Sequence, residues 1–167
     1  MIGHCIGRDV IESLDFLIQW AMKVSGKINT HKLIDIIDLN DCNTPSTLAH
    51  IMDKGYLSNN NGDDDKPYIL SELVNRACRS GRIDLMQVVH QRCTTPSQFQ
   101  RHLPTVDSMI AASKRNNHQM LSYLFEGDDA PINRANLQLN MATLINTIRH
   151  HSIDNGHLNI INMCDCL

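Results

Sequence analysis

The sequence predicts an all-α protein of antiparallel helix pairs stacked one on the next. Three observations lead there. Apolar residues recur at helical spacing along most of the chain, and no segment sustains the alternation of a half-buried strand. Only 4% of the residues are aromatic, which favours aliphatic helix-on-helix packing over a sandwich of sheets. A short pattern of small residues, a polar turn and paired aliphatics also recurs. It is clearest at Ala111–Glu126, with related versions at Ala77–Val89 and Asn155–Ile161. A helical unit repeated at such a period is the mark of a solenoid.

The elements follow in order. Asp9 and Glu12 have the spacing of a capping box, and Val10, Leu14, Leu17, Ala21 and Val24 then share one face of a first helix that ends at Ser25-Gly26. A second helix, over about 30–39, carries Leu33, Ile34, Ile36 and Ile37. Thr44-Pro45 starts a third, since proline is well placed at the first helical position, and this helix stops near Gly55. The stretch 59–66 has no apolar residue and is expected as an exposed loop. Helices are then expected over about 67–79 and 83–92. Thr95-Pro96 repeats the earlier start signal and opens a short helix that must end before Pro104. Helices at about 106–115 and 118–126, a turn at Gly127–Pro131, a longer helix at about 134–153 and a last one from 157 complete the chain. The total is about nine or ten helices.

A length of 167 residues suits a single helical domain with a substantial core. Within it, 1–58 form divergent N-terminal helices, 59–66 the loop, 67–133 the best-formed units and 134–167 a C-terminal helical cap unit. The net charge of −3 provides no field to gather phosphates, so nucleic acid is not the expected partner. Arg8, Asp9, Glu12 and Asp15 interrupt the start of the chain where a secretory signal would be apolar. No stretch approaches the roughly 18 apolar residues of a membrane span. The six cysteines show no disulfide framework. A reducing cytoplasm is therefore expected, which is the host cytosol if the protein is delivered there.

The units resemble degenerate ankyrin repeats. Thr44-Pro45-Ser46-Thr47-Leu48-Ala49 is similar to the opening of that family's unit, and Ala77-Cys78-Arg79-Ser80-Gly81 to its small pair and turn glycine. Met120–Glu126 and Gly127–Asn133 resemble the second helix and the outgoing hairpin, and Gly156–Ile161 the turn and the start of a second helix. Asn116 stands where the family has its turn glycine. The spacings of 35 and 40 residues exceed the family's period of about 33. Another α-solenoid, or an irregular helical bundle, also accommodates these residues. The resemblance implies a protein-binding module with no catalysis and no cofactor.

The polar turns are the candidate binding residues. Arg79 and Arg82 flank Gly81, while Lys114, Arg115 and Asn117 occupy the matching turn of the next unit. If the units stack, these five form a small basic strip suited to an acidic protein partner. The competing reading is solvated charge complementing helix C-termini.

Other constellations are weaker. His157, Cys164 and Cys166, with His150 or His151, are zinc-type ligands without a CxxC pair. Asn61, Asp63, Asp65 and Glu72 match part of a calcium-loop count, but Lys66 occupies the position that requires glycine. No metal is expected. The alternative function is a small thiol-dependent enzyme of cysteine–histidine hydrolase type. Six cysteines and nine histidines allow it by number, although Cys78 and Cys93 sit at helix-packing positions. Units this divergent are what an interaction module of a pathogen effector or viral host-interaction factor would carry.

Overall fold

A computed structural model describes residues 15–16, 18–20, 23–24, 45–55, 66–135 and 141–167, with the backbone alone for 66–69. The protein is all-helical, and no strand occurs among the described residues. The chain divides into two compact units, Met1–Leu73 and Val74–Leu167.

In the first unit, residues 15–16, 18–20 and 23–24 are helical. Ile18 is buried, whereas Val24 is exposed and does not join the apolar face expected of it. Val10, Leu14, Leu17 and Ala21 lie outside the described residues, as do Asp9, Glu12, the helix expected over 30–39 and the loop residues 59–65. Helix α1 (Pro45–Asp53) begins at its proline and buries Thr47, Leu48 and Ile51, one helical face. It stops at Gly55, whose amide bonds to the Met52 carbonyl at 3.0 Å. His50 Nε2 meets Asp15 Oδ1 at 2.7 Å and ties α1 to the earlier helical residues.

Helix α2 (Lys66–Ser80) contains the boundary between the units and includes Lys66, one residue earlier than the sequence predicts. In the second unit it is followed by α3 (Ile83–His90), α4 (Pro96–Arg101), α5 (Val106–Lys114), α6 (His118–Phe125), α7 (Pro131–Arg134), α8 (Met141–Asp154) and α9 (Leu158–Cys166). The cap of α4 is a reciprocal capping box. Thr95 Oγ1 accepts from the Gln98 amide at 3.3 Å, and Gln98 Oε1 accepts from the Thr95 amide at 3.2 Å. Thr105 caps α5 through the Ser108 amide at 3.4 Å.

The helix expected over 134–153 differs. It begins at Met141, and Pro131–Arg134 forms the separate single turn α7, with 136–140 outside the described residues. Pro131 takes the first helical position, and Ala130, Ile132 and Ala135 are buried, so this stretch is anchored by its own apolar residues. The segment likened to an outgoing hairpin is therefore a turn followed by α7.

Like helices pack on like. Helix α5 packs on α8, α6 on α9 and α3 on α6, while α5–α6 and α8–α9 are paired within themselves. The core between them includes Met86, Val89, Ala112, Met120, Leu121, Leu124, Ile148 and Ile160. Helices α4 and α7 pack on each other, and α7 also packs on α6. Phe99, Cys93 and Ala135 form a satellite cluster there, with the Arg134 guanidinium 4.2 Å from the centre of the Phe99 ring.

Candidate functional site

Three turns in the second unit share one backbone design. After α2, Gly81 N donates to Cys78 O (3.3 Å), Arg82 N to Ala77 O (2.9 Å) and Ile83 N to Gly81 O (3.0 Å). After α5, Asn116 N donates to Ser113 O (3.0 Å), Asn117 N to Ala112 O (3.0 Å) and His118 N to Asn116 O (2.8 Å). After α8, Gly156 N donates to Ile153 O (3.1 Å), His157 N to Ser152 O (2.8 Å) and Leu158 N to Gly156 O (3.2 Å). The central residue is left-handed each time, with φ of +76° at Gly81, +56° at Asn116 and +70° at Gly156. Asparagine is among the few residues other than glycine that visit this region readily, which is why Asn116 can stand in for it. The bonds fix the register: positions 81, 116 and 156 are equivalent.

Successive turns are hydrogen-bonded to each other. The last carbonyls of a helix have no partner within it. The Arg79 carbonyl, in the last turn of α2, accepts from Asn117 Nδ2 at 3.1 Å and from Arg115 Nη1 at 3.0 Å. The Ser113 carbonyl, near the end of α5, accepts from His157 Nδ1 at 2.7 Å. Arg79 Nη1 reaches Ser108 Oγ at 3.3 Å, and the Thr105 amide donates to Asn75 Oδ1 at 2.8 Å. Deeper in, Ser113 Oγ lies 2.8 Å from Ser152 Oγ, both fully buried.

Of the five predicted binding residues, Arg79, Arg115 and Asn117 are thus brought together at one carbonyl. Arg82 instead grips Asp84, with Nε–Oδ1 at 2.9 Å and Nη2–Oδ2 at 2.8 Å. Those hydrogen bonds hold the Asp84 carboxyl below its ordinary range. Lys114 is exposed at the end of α5, as is Arg115 beyond it. The edge carries its accessible positive charge mainly at Lys114 and Arg115. Sequence reasoning missed the Arg79 carbonyl and His157; the matched spacing of the turns was the available signal for both.

The thiols are poorly suited to attack. Burial pushes the Cys78 thiol up to about 12 and also raises those of Cys93 and Cys164, so all three stay protonated at neutral pH. Cys93 Sγ bonds to the Val89 carbonyl at 3.6 Å. Nearby His90 uses both ring nitrogens elsewhere, Nδ1 with Tyr123 Oη at 2.9 Å and Nε2 with the His102 carbonyl at 3.0 Å. A carbonyl only accepts, so Nε2 carries the proton. Desolvation lowers the His90 pKa, and the neutral ring receives the Tyr123 hydroxyl at Nδ1. Desolvation correspondingly raises Tyr123 to about 12. Desolvation also lowers His102, whose buried Nδ1 has no hydrogen-bond partner among the described residues.

Of the zinc-type ligands, His157 is engaged with Ser113, Cys164 is buried and His150 faces Asp154 at 3.8 Å. Among the described residues no group of three or more His, Cys, Asp or Glu is placed to hold a metal ion. An apolar groove of about 290 Å³ lies where α5, α7 and α8 meet, lined by Leu103, Val106, Met109, Ile132, Met141 and Leu144. No helix among the described residues is long and apolar enough to cross a membrane. No family model, curated protein or solved structure matches the chain.

Proposed function

We propose that α2–α3, α5–α6 and α8–α9 are stacked units of a divergent ankyrin-like array, and that the protein recognises another protein without catalysis. The observation that carries this reading is the threefold recurrence of the same turn, with each turn bonded to the one before. Stacked arrays of this kind present one continuous edge of turns, and rigidly held loops are the usual binding sites. The exposed Lys114 and Arg115 suit an acidic segment of the partner. Protonated, unpaired thiols at Cys78, Cys93 and Cys164 suit a reducing cytoplasm, whether the cell's own or a host's.

Two experiments test the reading. A Ser113→Cys/Ser152→Cys pair should close a disulfide under oxidation, because the two hydroxyls already touch; no closure in the folded protein defeats the stacking. A photo-crosslinking residue at position 115 should capture a partner in a salt-sensitive way, and Lys114→Glu should abolish that capture. Capture unaffected by both salt and charge reversal would defeat the edge as the binding site.

A further inference from the structure

The shared turn register allows two of the stacked repeats to be compared residue by residue, α5–α6 (here the second unit of the array) and α8–α9 (the third unit), with each position in one matching the position 40 further on in the other. Ser113 marks the side of α5 that receives the next unit, since its hydroxyl meets Ser152 and the Ile148 carbonyl, the latter at 3.2 Å. Met109 lies one helical turn before Ser113 on that side and is 3% exposed. On α6, Phe125 is 5% exposed. Their counterparts in the third unit are Ile153, Arg149 and Asp165. Ile153 is 48% exposed where Ser113 is fully buried, so this side of α8 faces outward. Across it Arg149 Nε meets Asp165 Oδ1 at 2.6 Å and links α8 to α9.

We infer that the outer side of α8 and α9 is a closing face, in which the Arg149–Asp165 ion pair excludes a further helix pair, including one from a second copy of this chain. This rests on the stacked-unit reading. Two apolar positions of the second unit have become a mutually satisfied pair of charges. Covering that pair would strip its water, and an ion pair recovers such a loss only when every remaining polar atom finds a partner. The need for such a face is local. Ile153 and Leu158, the latter 69% exposed, flank the pair and would otherwise offer apolar area for end-on adhesion.

The test converts the outer face to the residues of the second unit. Arg149→Met/Asp165→Phe in the full chain should self-associate at least about tenfold more tightly than wild type in sedimentation equilibrium. Adding Ile153→Lys should reverse the gain. If the double variant loses its helical circular dichroism, the smaller Arg149→Leu/Asp165→Leu pair takes its place with the same expectation. A folded variant with wild-type self-association overturns the inference. So does a wild-type chain that self-associates and loses that association on Ile153→Lys. The Ser113–Ser152 disulfide separates the two readings: if it closes while the converted face stays inert, only the closing face is wrong.

Discussion

Asn117 Nδ2 donates to the Arg79 carbonyl across 38 residues of sequence, at 3.1 Å, and so joins the turn after α5 to the last turn of α2. The same carbonyl accepts from Arg115 Nη1, so the two donors share one acceptor. Asn117→Ala should cost about 1 kcal/mol, the usual net value of one such bond. Asn117→Ala combined with Arg115→Ala should cost more than the sum of the single changes, because only the pair leaves the carbonyl without either donor. Urea unfolding of the four proteins in this cycle measures the excess. Strict additivity would mean that the donors do not compensate for each other.

Asn116 carries the left-handed backbone that Gly81 and Gly156 carry in the other turns. Asn116→Gly should leave stability within about 0.5 kcal/mol or raise it, while the β-branched Asn116→Val should lower it by about 1–2 kcal/mol. Thermal unfolding distinguishes them. Equal melting temperatures would contradict a left-handed turn at this position.

His90 and His102 give the fold a defined sensitivity to acid. Both hold a proton less tightly when folded, chiefly through desolvation, so below the ordinary value of 6.5 the unfolded chain binds more protons than the folded one. Their contribution is complete above that value and is lost as the pH falls through it toward the folded values. At His90 the bond to the His102 carbonyl opposes desolvation and Arg134 reinforces it, while at His102 His90 and then Arg101 reinforce it. Asp84 acts lower, losing its contribution as the pH falls below its ordinary 3.8. Urea unfolding at pH 7.5 and 5.5 should show a decline that His90→Gln/His102→Gln flattens. A decline unchanged in that double variant would assign the effect to other groups.

The thiols should separate by reactivity. Cys166 is exposed and should alkylate in the native protein, whereas Cys78, Cys93 and Cys164 are buried with raised pKa values and should react only on unfolding. Peptide mass spectrometry after native labelling reads this directly. Fast labelling at Cys78 or Cys93 would revive a thiol-dependent chemistry.

Much of the helical order was legible because its signals are local. Thr95, Pro96 and Gln98 specify their own capping box within four residues, and Gly81 and Gly156 announce turns that the backbone then adopts. The failures came where neighbours in space decide. One long helix was expected from about 134, yet Arg134 instead ends the short helix α7, in which Pro131 and Ile132 are buried, and α8 runs from Met141. Val24 fitted a helical stripe but is exposed.

For the candidate site, the sequence by itself determined that polar turns follow small residues at Ala77-Cys78 and Ala111-Ala112 and that a related turn lies at Gly156, because turn chemistry depends on adjacent residues. It also determined the all-helical class, since the spacing of apolar residues sets which local structure can bury them. Only the tertiary structure decided what those polar residues do. Arg82 closes on Asp84, Arg115 and Asn117 converge on the Arg79 carbonyl, and Arg149 finds Asp165. Apart from the Arg82–Asp84 pair, these partners lie 16 to 38 residues apart in sequence; the contacts at the Arg79 carbonyl are set by the packing of one helix pair on the next, and Arg149–Asp165 by the pairing of α8 with α9.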